Sequence, residues 1–200
     1  MVLYKKRDKF SQFSVKVGLA FSKLPLSANQ WTGLSLVPVF FALYFLVNEQ
    51  FLMAACLFII SAFMDLIDGS VARVTGTVSK KGAYLDTVVD RYVEGIIILG
   101  LLFASLPDFF LPIRAWLFIY FFGAMMTTYV KAAAKEKDLT EKELKGGFLE
   151  RAERLIILFI GILIAGLDPF YLTYTIAVLA VLSNVTALQR IYSAVKQVKS

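Results

Sequence analysis

The sequence predicts an all-α, polytopic membrane protein: six transmembrane helices preceded by an amphipathic helix on the membrane surface. Three observations carry that prediction. The 200 residues are 58% hydrophobic, with a mean hydropathy of +0.71, which is more apolar than a soluble domain of this length sustains. Several apolar runs reach the roughly 20 residues that a helix needs to cross a bilayer. The connectors between the runs alternate between nearly uncharged and rich in Lys and Arg, and that asymmetry orients helices in membranes. A soluble helical bundle accounts for none of the three.

The elements follow in order. Residues 4–9, "YKKRDK", are basic, and from there apolar side chains recur at Phe10, Phe13, Val17, Ala20 or Phe21, and Leu24. That spacing is helical, and the flanking lysines suit anionic headgroups. No short apolar core with a small-residue cleavage site opens the chain, so no cleavable signal is expected. "PLSAN" breaks the helix, and Ser27 or Asn29 can cap the next one. Residues 1–26 are therefore read as a basic, interfacial N-terminus and 27–200 as the membrane domain. The expected spans are 30–48, 51–72, 82–105, 112–134, 149–167 and 169–189. The connectors "RVTGTVSKKG" and "KEKDLTEKELKGG" and both termini carry the Lys and Arg. By the positive-inside rule they face the cytosol, so the net charge of +6 reports topology rather than affinity for nucleic acid.

Composition also excludes chemistry. With no histidine, His-based acid–base catalysis, His metal ligation and Ser-His-Asp triads are ruled out. The single cysteine, Cys56, can form no disulfide within the chain and is expected as a small core residue.

The unusual feature is four aspartates in apolar surroundings: Asp65, Asp68, Asp86 and Asp90. Each charge inside a span costs about 2.5–3.5 kcal/mol on insertion scales, and acids held together repel. A multivalent cation offsets both penalties. Asp65 and Asp68 are i and i+3, Asp86 and Asp90 are i and i+4, so each pair shares a helix face. The cytosolic connector 73–81 joins the two helices as a hairpin, which brings the four carboxylates together at the inner leaflet. Gly69, Ala72 and Gly82 leave room beside them for a ligand or a backbone. Oxygen donors without His or Cys suit Mg²⁺, Mn²⁺ or Ca²⁺, and such ions commonly share substrate phosphates. The plain alternative pairs these acids with Arg73, Lys80, Lys81 and Arg91. Glu94 lies one turn beyond Asp90, and either extends the polar cavity or pairs with a cation such as Arg91.

The run Asp65-x2-Asp68-Gly69-x2-Ala72-Arg73-x8-Gly82-x3-Asp86-x3-Asp90 resembles the signature of the CDP-alcohol phosphotransferase (CDP-alcohol phosphatidyltransferase) family, with eight fixed residues over 26 positions. The resemblance extends over the chain: a surface helix, then six spans with the motif across the second and third. It implies a membrane transferase that moves a phosphatidyl-type group from a CDP-lipid to an alcohol and releases CMP. It further implies that Asp65, Asp68, Asp86 and Asp90 surround two ions, Mg²⁺ or Mn²⁺, that hold the pyrophosphate. Gly69, Ala72 and Arg73 then border the nucleotide together with Gly82, and Asp90 is the general base. Asn29 and Thr32 resemble the polar pair that the family places near the nucleotide, although Ala28 stands where proline is common. A homodimer is implied in the same way.

The acceptor is read elsewhere. Lys131 and Lys135 lie one turn apart in "TTYVKAAAKEK", Arg151 and Arg154 share a face in "GFLERAERLI", and Arg190 ends the sixth span. Cations from three helices at the cytosolic side suit a phosphorylated acceptor. Snorkelling cations that merely obey positive-inside are the alternative. The set resembles the inositol-phosphate branch of the family, the phosphatidylinositol-phosphate synthases and their archaeal counterparts, which implies that Lys131, Arg151 and Arg190, with Arg154, bind the phosphate of inositol 1-phosphate. Glycerol 3-phosphate is the alternative acceptor. A divalent-cation transporter is the alternative of another class, and it predicts mid-membrane acids and internal repeats that the sequence lacks.

Overall fold

The computed structural model describes residues 7–139 and 147–198, with side chains from 12–139 and 147–196. Among them are eight helices and no strand: α1 Arg7–Phe21, α2 Ala28–Leu34, α3 Leu36–Val47, α4 Phe51–Val74, α5 Lys80–Phe103, α6 Ile113–Glu136, α7 Arg151–Ile164 and α8 Pro169–Val198. Four segments are long and apolar enough to cross a membrane: Ala28–Val47, Phe51–Val74, Ile113–Glu136 and Pro169–Lys196. The chain is an integral membrane protein. α5 is as long as α4 and α6 but carries six charged residues, Lys80, Lys81, Asp86, Asp90, Arg91 and Glu94, and α7 has only 14 residues.

The chain divides into two compact units, Met1–Tyr44 with Cys56–Ile97, and Phe45–Ala55 with Ile98–Ser200. In the first, Ser27 caps α2 as expected. Its hydroxyl accepts the Gln30 N–H at 3.3 Å, and Gln30 Oε1 accepts the Ser27 N–H at 2.8 Å, which is a capping box. The first expected span is two helices, α2 and α3, parted at Ser35. Pro38 explains the break: it has no N–H for the Leu34 carbonyl and its ring crowds that carbonyl. The Ser35 carbonyl instead accepts the Ser61 hydroxyl from α4 at 2.9 Å.

α1 forms where the periodicity places it, but its faces differ from the expected stripe. Ser14, Val17 and Gly18 are buried, whereas Phe13, Val15, Leu19 and Leu24 are exposed. The reason is close approach to α4. A Cβ at Gly18 would lie 2.5 Å from the Ser70 carbonyl oxygen, so only glycine allows the contact. Val17 packs there with Trp31, Ile67 and Val71. Cys56 corrects another expectation, because it lies on the exposed side of α4. Ala54, Ala55 and Phe58 occupy the buried side.

The hairpin that carries the aspartates is built by two local devices. Gly76, at φ +67°, supplies the left-handed residue that closes a helix C-terminus, and the Thr77 N–H reaches back to the Ala72 carbonyl at 3.0 Å. Ser79 then caps α5, its hydroxyl accepting the Gly82 N–H at 3.0 Å, which satisfies an otherwise orphan donor.

In the second unit, α8 packs on α6 and α7. Gly123 meets Asn184 and Gly161 meets Thr175, both too closely for a Cβ. The start of α7 is tied to α8: Leu149 N–H donates to Thr186 Oγ1 at 3.1 Å, and Phe148 N–H to Gln189 Oε1 at 2.9 Å.

Candidate functional site

Two clusters stand out, one in each unit. The first is carboxylate. Asp65 and Asp68 come from α4 and Asp86 from α5, and one oxygen of each lies within 4.8 Å of the others. Asp68 is buried, 4% exposed, while Asp65 and Asp86 are half-buried. Three carboxylates that close, away from bulk water, repel strongly unless a cation or a proton intervenes. The donor set is all hard oxygen, with no soft or imidazole ligand, which fits Mg²⁺ or Mn²⁺. Asp90 lies one turn along α5 from Asp86 and is buried; it is outside the trio that meets this distance.

Asp68 and Asp86 open onto a cleft of about 320 Å³. Its lining gathers Asn29, Thr32, Asp68, Gly69, Ala72, Arg73, Gly82 and Asp86, residues scattered over 58 positions of sequence. Their arrangement explains the small residues. A Cβ at Gly82 would stand 3.2 Å from Asn29 Oδ1, and one at Gly69 would stand 3.3 Å from an Arg73 guanidinium nitrogen. Thr32 donates its hydroxyl to Asp68 Oδ2 at 2.5 Å, which fixes the most buried acid of the trio from a neighbouring helix. Arg73 does not turn to an aspartate. Its Nη2 donates to Ser14 Oγ at 2.7 Å and to Ser70 Oγ at 3.3 Å. Glu94, 1% exposed, pairs with Arg91 at 2.7 Å, as one of the two readings of that residue expects.

The second cluster is cationic. Arg154 of α7 is 1% exposed, and its Nη1 donates to the Thr127 hydroxyl at 3.1 Å. Arg190 of α8 donates to the Thr127 backbone carbonyl at 2.8 Å. Two guanidinium groups from different helices thus converge on one threonine of α6. Lys131 lies one turn further along α6 and is half-buried, as is Arg151, whereas Lys135 is exposed. Cations gathered from three helices suit an anionic ligand.

Sequence reasoning missed three participants: Thr127, Ser14 and Ser70. Ser70 and Thr127 are small polar residues in apolar helices, and Ser14 is one on the amphipathic α1. That pattern marks helix–helix hydrogen bonding in membranes, but it names no partner.

Residues 26–188 match the family model described as CDP-alcohol phosphatidyltransferase. Among similar proteins is the archaetidylinositol phosphate synthase of Pyrococcus horikoshii, 29% identical over 198 residues that span 99% of each chain. The phosphatidylinositol phosphate synthase of Corynebacterium glutamicum is 31% identical over 178 residues, 87% of this chain and 80% of that one. The crystal structure of the Mycobacterium tuberculosis phosphatidylinositol phosphate synthase with CDP-DAG bound is similar at a TM-score of 0.81 and 27% identity, covering 92% of this chain and 94% of that one. The same enzyme in complex with manganese and citrate gives 0.80 at 28% identity, covering 90% and 88%.

Proposed function

This chain belongs to the CDP-alcohol phosphatidyltransferase family, and on that premise we propose that it moves a phosphatidyl-type group, carried on diacylglycerol or archaeol, from a CDP-lipid to inositol 1-phosphate with release of CMP. The observation that carries the reading is the convergence of Asp65, Asp68 and Asp86 beside a cleft lined by Asn29, Thr32, Arg73 and Gly82. A nucleoside-diphosphate lipid presents a pyrophosphate, and a pyrophosphate beside carboxylates needs divalent cations between them.

In this reading Asn29, Thr32, Gly69, Ala72, Arg73 and Gly82 border the CDP group. Asp65, Asp68, Asp86 and Asp90 hold Mg²⁺ or Mn²⁺, two ions by family resemblance. When bound, such ions neutralise the pyrophosphate and the charge that grows on departing CMP. The acceptor's hydroxyl oxygen attacks the lipid-bearing phosphorus. The bond from that phosphorus to CMP breaks, and CMP leaves with its electrons. Asp90 takes the hydroxyl proton, a role that suits a buried carboxylate one turn from the trio. Lys131, Arg151, Arg154 and Arg190 grip the acceptor's phosphate; the convergence of Arg154 and Arg190 on Thr127 supports this part.

The remaining features follow from the same premise. α5 and α7 join the four apolar segments to make six crossings. At 1.5 Å per residue α5 is about 36 Å long, enough to span, whereas α7, at about 21 Å, reaches across the roughly 30 Å hydrocarbon core only together with its flanking residues. The interfacial segment is residues 1–26, with α1 in the headgroup layer, and the catalytic domain residues 27–200; residues 1–6, 140–146, 199 and 200 lie outside the described residues. The Lys/Arg-rich connectors put the termini and both clusters on the cytosolic side of the cell membrane. The enzyme works as a homodimer.

An acceptor panel tests the reading. Purified protein is given CDP-diacylglycerol or CDP-archaeol with inositol 1-phosphate, inositol, glycerol 3-phosphate or serine, and CMP is measured. Inositol 1-phosphate should dominate; equal or faster release with glycerol 3-phosphate would replace it as the acceptor. Asp90→Asn should lower CMP release by about 10²–10⁴-fold while CDP-lipid still binds, and normal turnover would remove Asp90 as the base.

A further inference from the structure

The N-terminal helix α1 touches the cleft at one point, and that contact has a specific chemistry. Arg73 lies on the exposed edge of the cleft. A long side chain in that position ordinarily samples many rotamers and presents no fixed charge. Here it is held. Its Nη2 donates to the Ser14 hydroxyl at 2.7 Å and more weakly to Ser70 at 3.3 Å. The two hydroxyls lie 2.8 Å apart and both residues are buried. Gly69 allows the guanidinium to lie across α4, since a Cβ there would meet Nη1 at 3.3 Å. Gly18 allows α1 to come near enough for Ser14 to reach, since a Cβ there would collide with the Ser70 carbonyl at 2.5 Å.

We propose that Ser14 is a positioning residue for Arg73, so that α1 is a working part of the CDP-lipid site as well as a membrane contact. The inference rests on the reading of the cleft as that site. Anchoring one end of a planar guanidinium orients the rest of its donor fork. Nη1 and Nε are then presented to a phosphate oxygen of the nucleotide-linked lipid, and the entropy of ordering Arg73 is spent during folding rather than on binding. The two glycines and the two serines serve one geometry: close helix contact, a fixed acceptor, and a flat guanidinium at the cleft edge.

The test uses the full-length purified chain, with steady-state kinetics, CDP binding by calorimetry and thermal unfolding. Ser14→Ala should raise the KM for CDP-lipid about 5-fold and weaken CDP binding to match, the size of one lost hydrogen bond. The acceptor KM and the unfolding temperature should stay as they were. Ser14→Thr, which keeps the hydroxyl, should stay within about 2-fold of the original. In the Ser14→Ala/Arg73→Ala double variant, Ser14→Ala should add nothing to the loss from Arg73→Ala, because the two act as one unit. Full additivity would overturn the proposal, as would a lowered unfolding temperature with KM and CDP binding unchanged. If the unsubstituted chain neither binds CDP nor releases CMP, the reading of the cleft itself fails, and this inference with it.

Discussion

Replacing Thr32 by valine removes one hydroxyl and keeps the shape of the side chain. Thr32 is 4% exposed and so is Asp68, so water cannot substitute for what is lost. The hydroxyl lies 2.5 Å from Asp68 Oδ2 and 3.1 Å from the Ala28 carbonyl. It has one proton, and the shorter, charge-assisted contact takes it. Hydrogen bonds to charged groups contribute about 1.5–3 kcal/mol in soluble proteins, whereas interhelical bonds in membranes average about 0.6 and reach about 1.7. A buried carboxylate at a helix contact belongs at the upper end of the second range and the lower end of the first, about 1–2 kcal/mol. At 1.36 kcal/mol per decade that is about 5- to 30-fold. The loss should fall on kcat/KM for CDP-lipid, and the concentration of Mn²⁺ or Mg²⁺ that half-activates should rise. CMP release at saturating acceptor reads the first, a metal titration reads the second, and thermal unfolding guards against a folding defect. Thr32→Ser should restore most of the activity. A change under about 2-fold in a stable variant, or one that falls on the acceptor KM instead, would refute the claim that Thr32 sets Asp68.

Three further outcomes are expected. Thr127→Val deletes the acceptor for Arg154 Nη1 but leaves the backbone carbonyl that holds Arg190; the acceptor KM should rise about 3- to 10-fold with the CDP-lipid KM unchanged, read by titrating each substrate in turn. Gly123→Ala places a methyl 2.5 Å from Asn184 Nδ2 and 2.9 Å from its backbone N, so α6 and α8 must separate at a cost of about 1–3 kcal/mol. The unfolding temperature should fall by about 2–4 °C for each kcal/mol, and an unchanged melting curve would mean that the contact yields freely. Chelation of divalent cations should abolish CMP release, and Mg²⁺ or Mn²⁺ should restore it, whereas Asp68→Asn should need a higher metal concentration for the same rate; undiminished activity in chelator would dissociate the carboxylate trio from catalysis.

Much of this was legible in the chain itself. The i, i+3 spacing of Asp65 and Asp68 fixes a shared face on any α-helix, and the Lys/Arg-rich connector that follows implied the hairpin. A cap at Ser27 or Asn29 is legible because the need for one is local, and the structure uses Ser27. Gly69, Ala72, Arg73 and Gly82 belong to the signature and Asn29 and Thr32 to the polar pair that opens the first span, and all six line one cleft. Three expectations met a different geometry. Pro38 divided the first span at Ser35, Cys56 lies on the exposed side of α4, and α1 turned Ser14 and Gly18 inward rather than presenting one apolar stripe.

The sequence by itself determined what depends on neighbours along the chain. That includes helix positions, apolar length, the sign of each connector, and the all-oxygen character of the carboxylate set. It also carried the motif that marks the family. Only the tertiary structure decided which side chain meets which across helices: Thr32 with Asp68, Ser14 with Arg73, and Arg154 and Arg190 with Thr127. The reason is physical. Periodicity fixes the angle of a residue around its own helix axis, but the depth and crossing of two helices are set by where glycines let backbones approach. A hydrogen bond, unlike an apolar contact, is lost over a few tenths of an ångström.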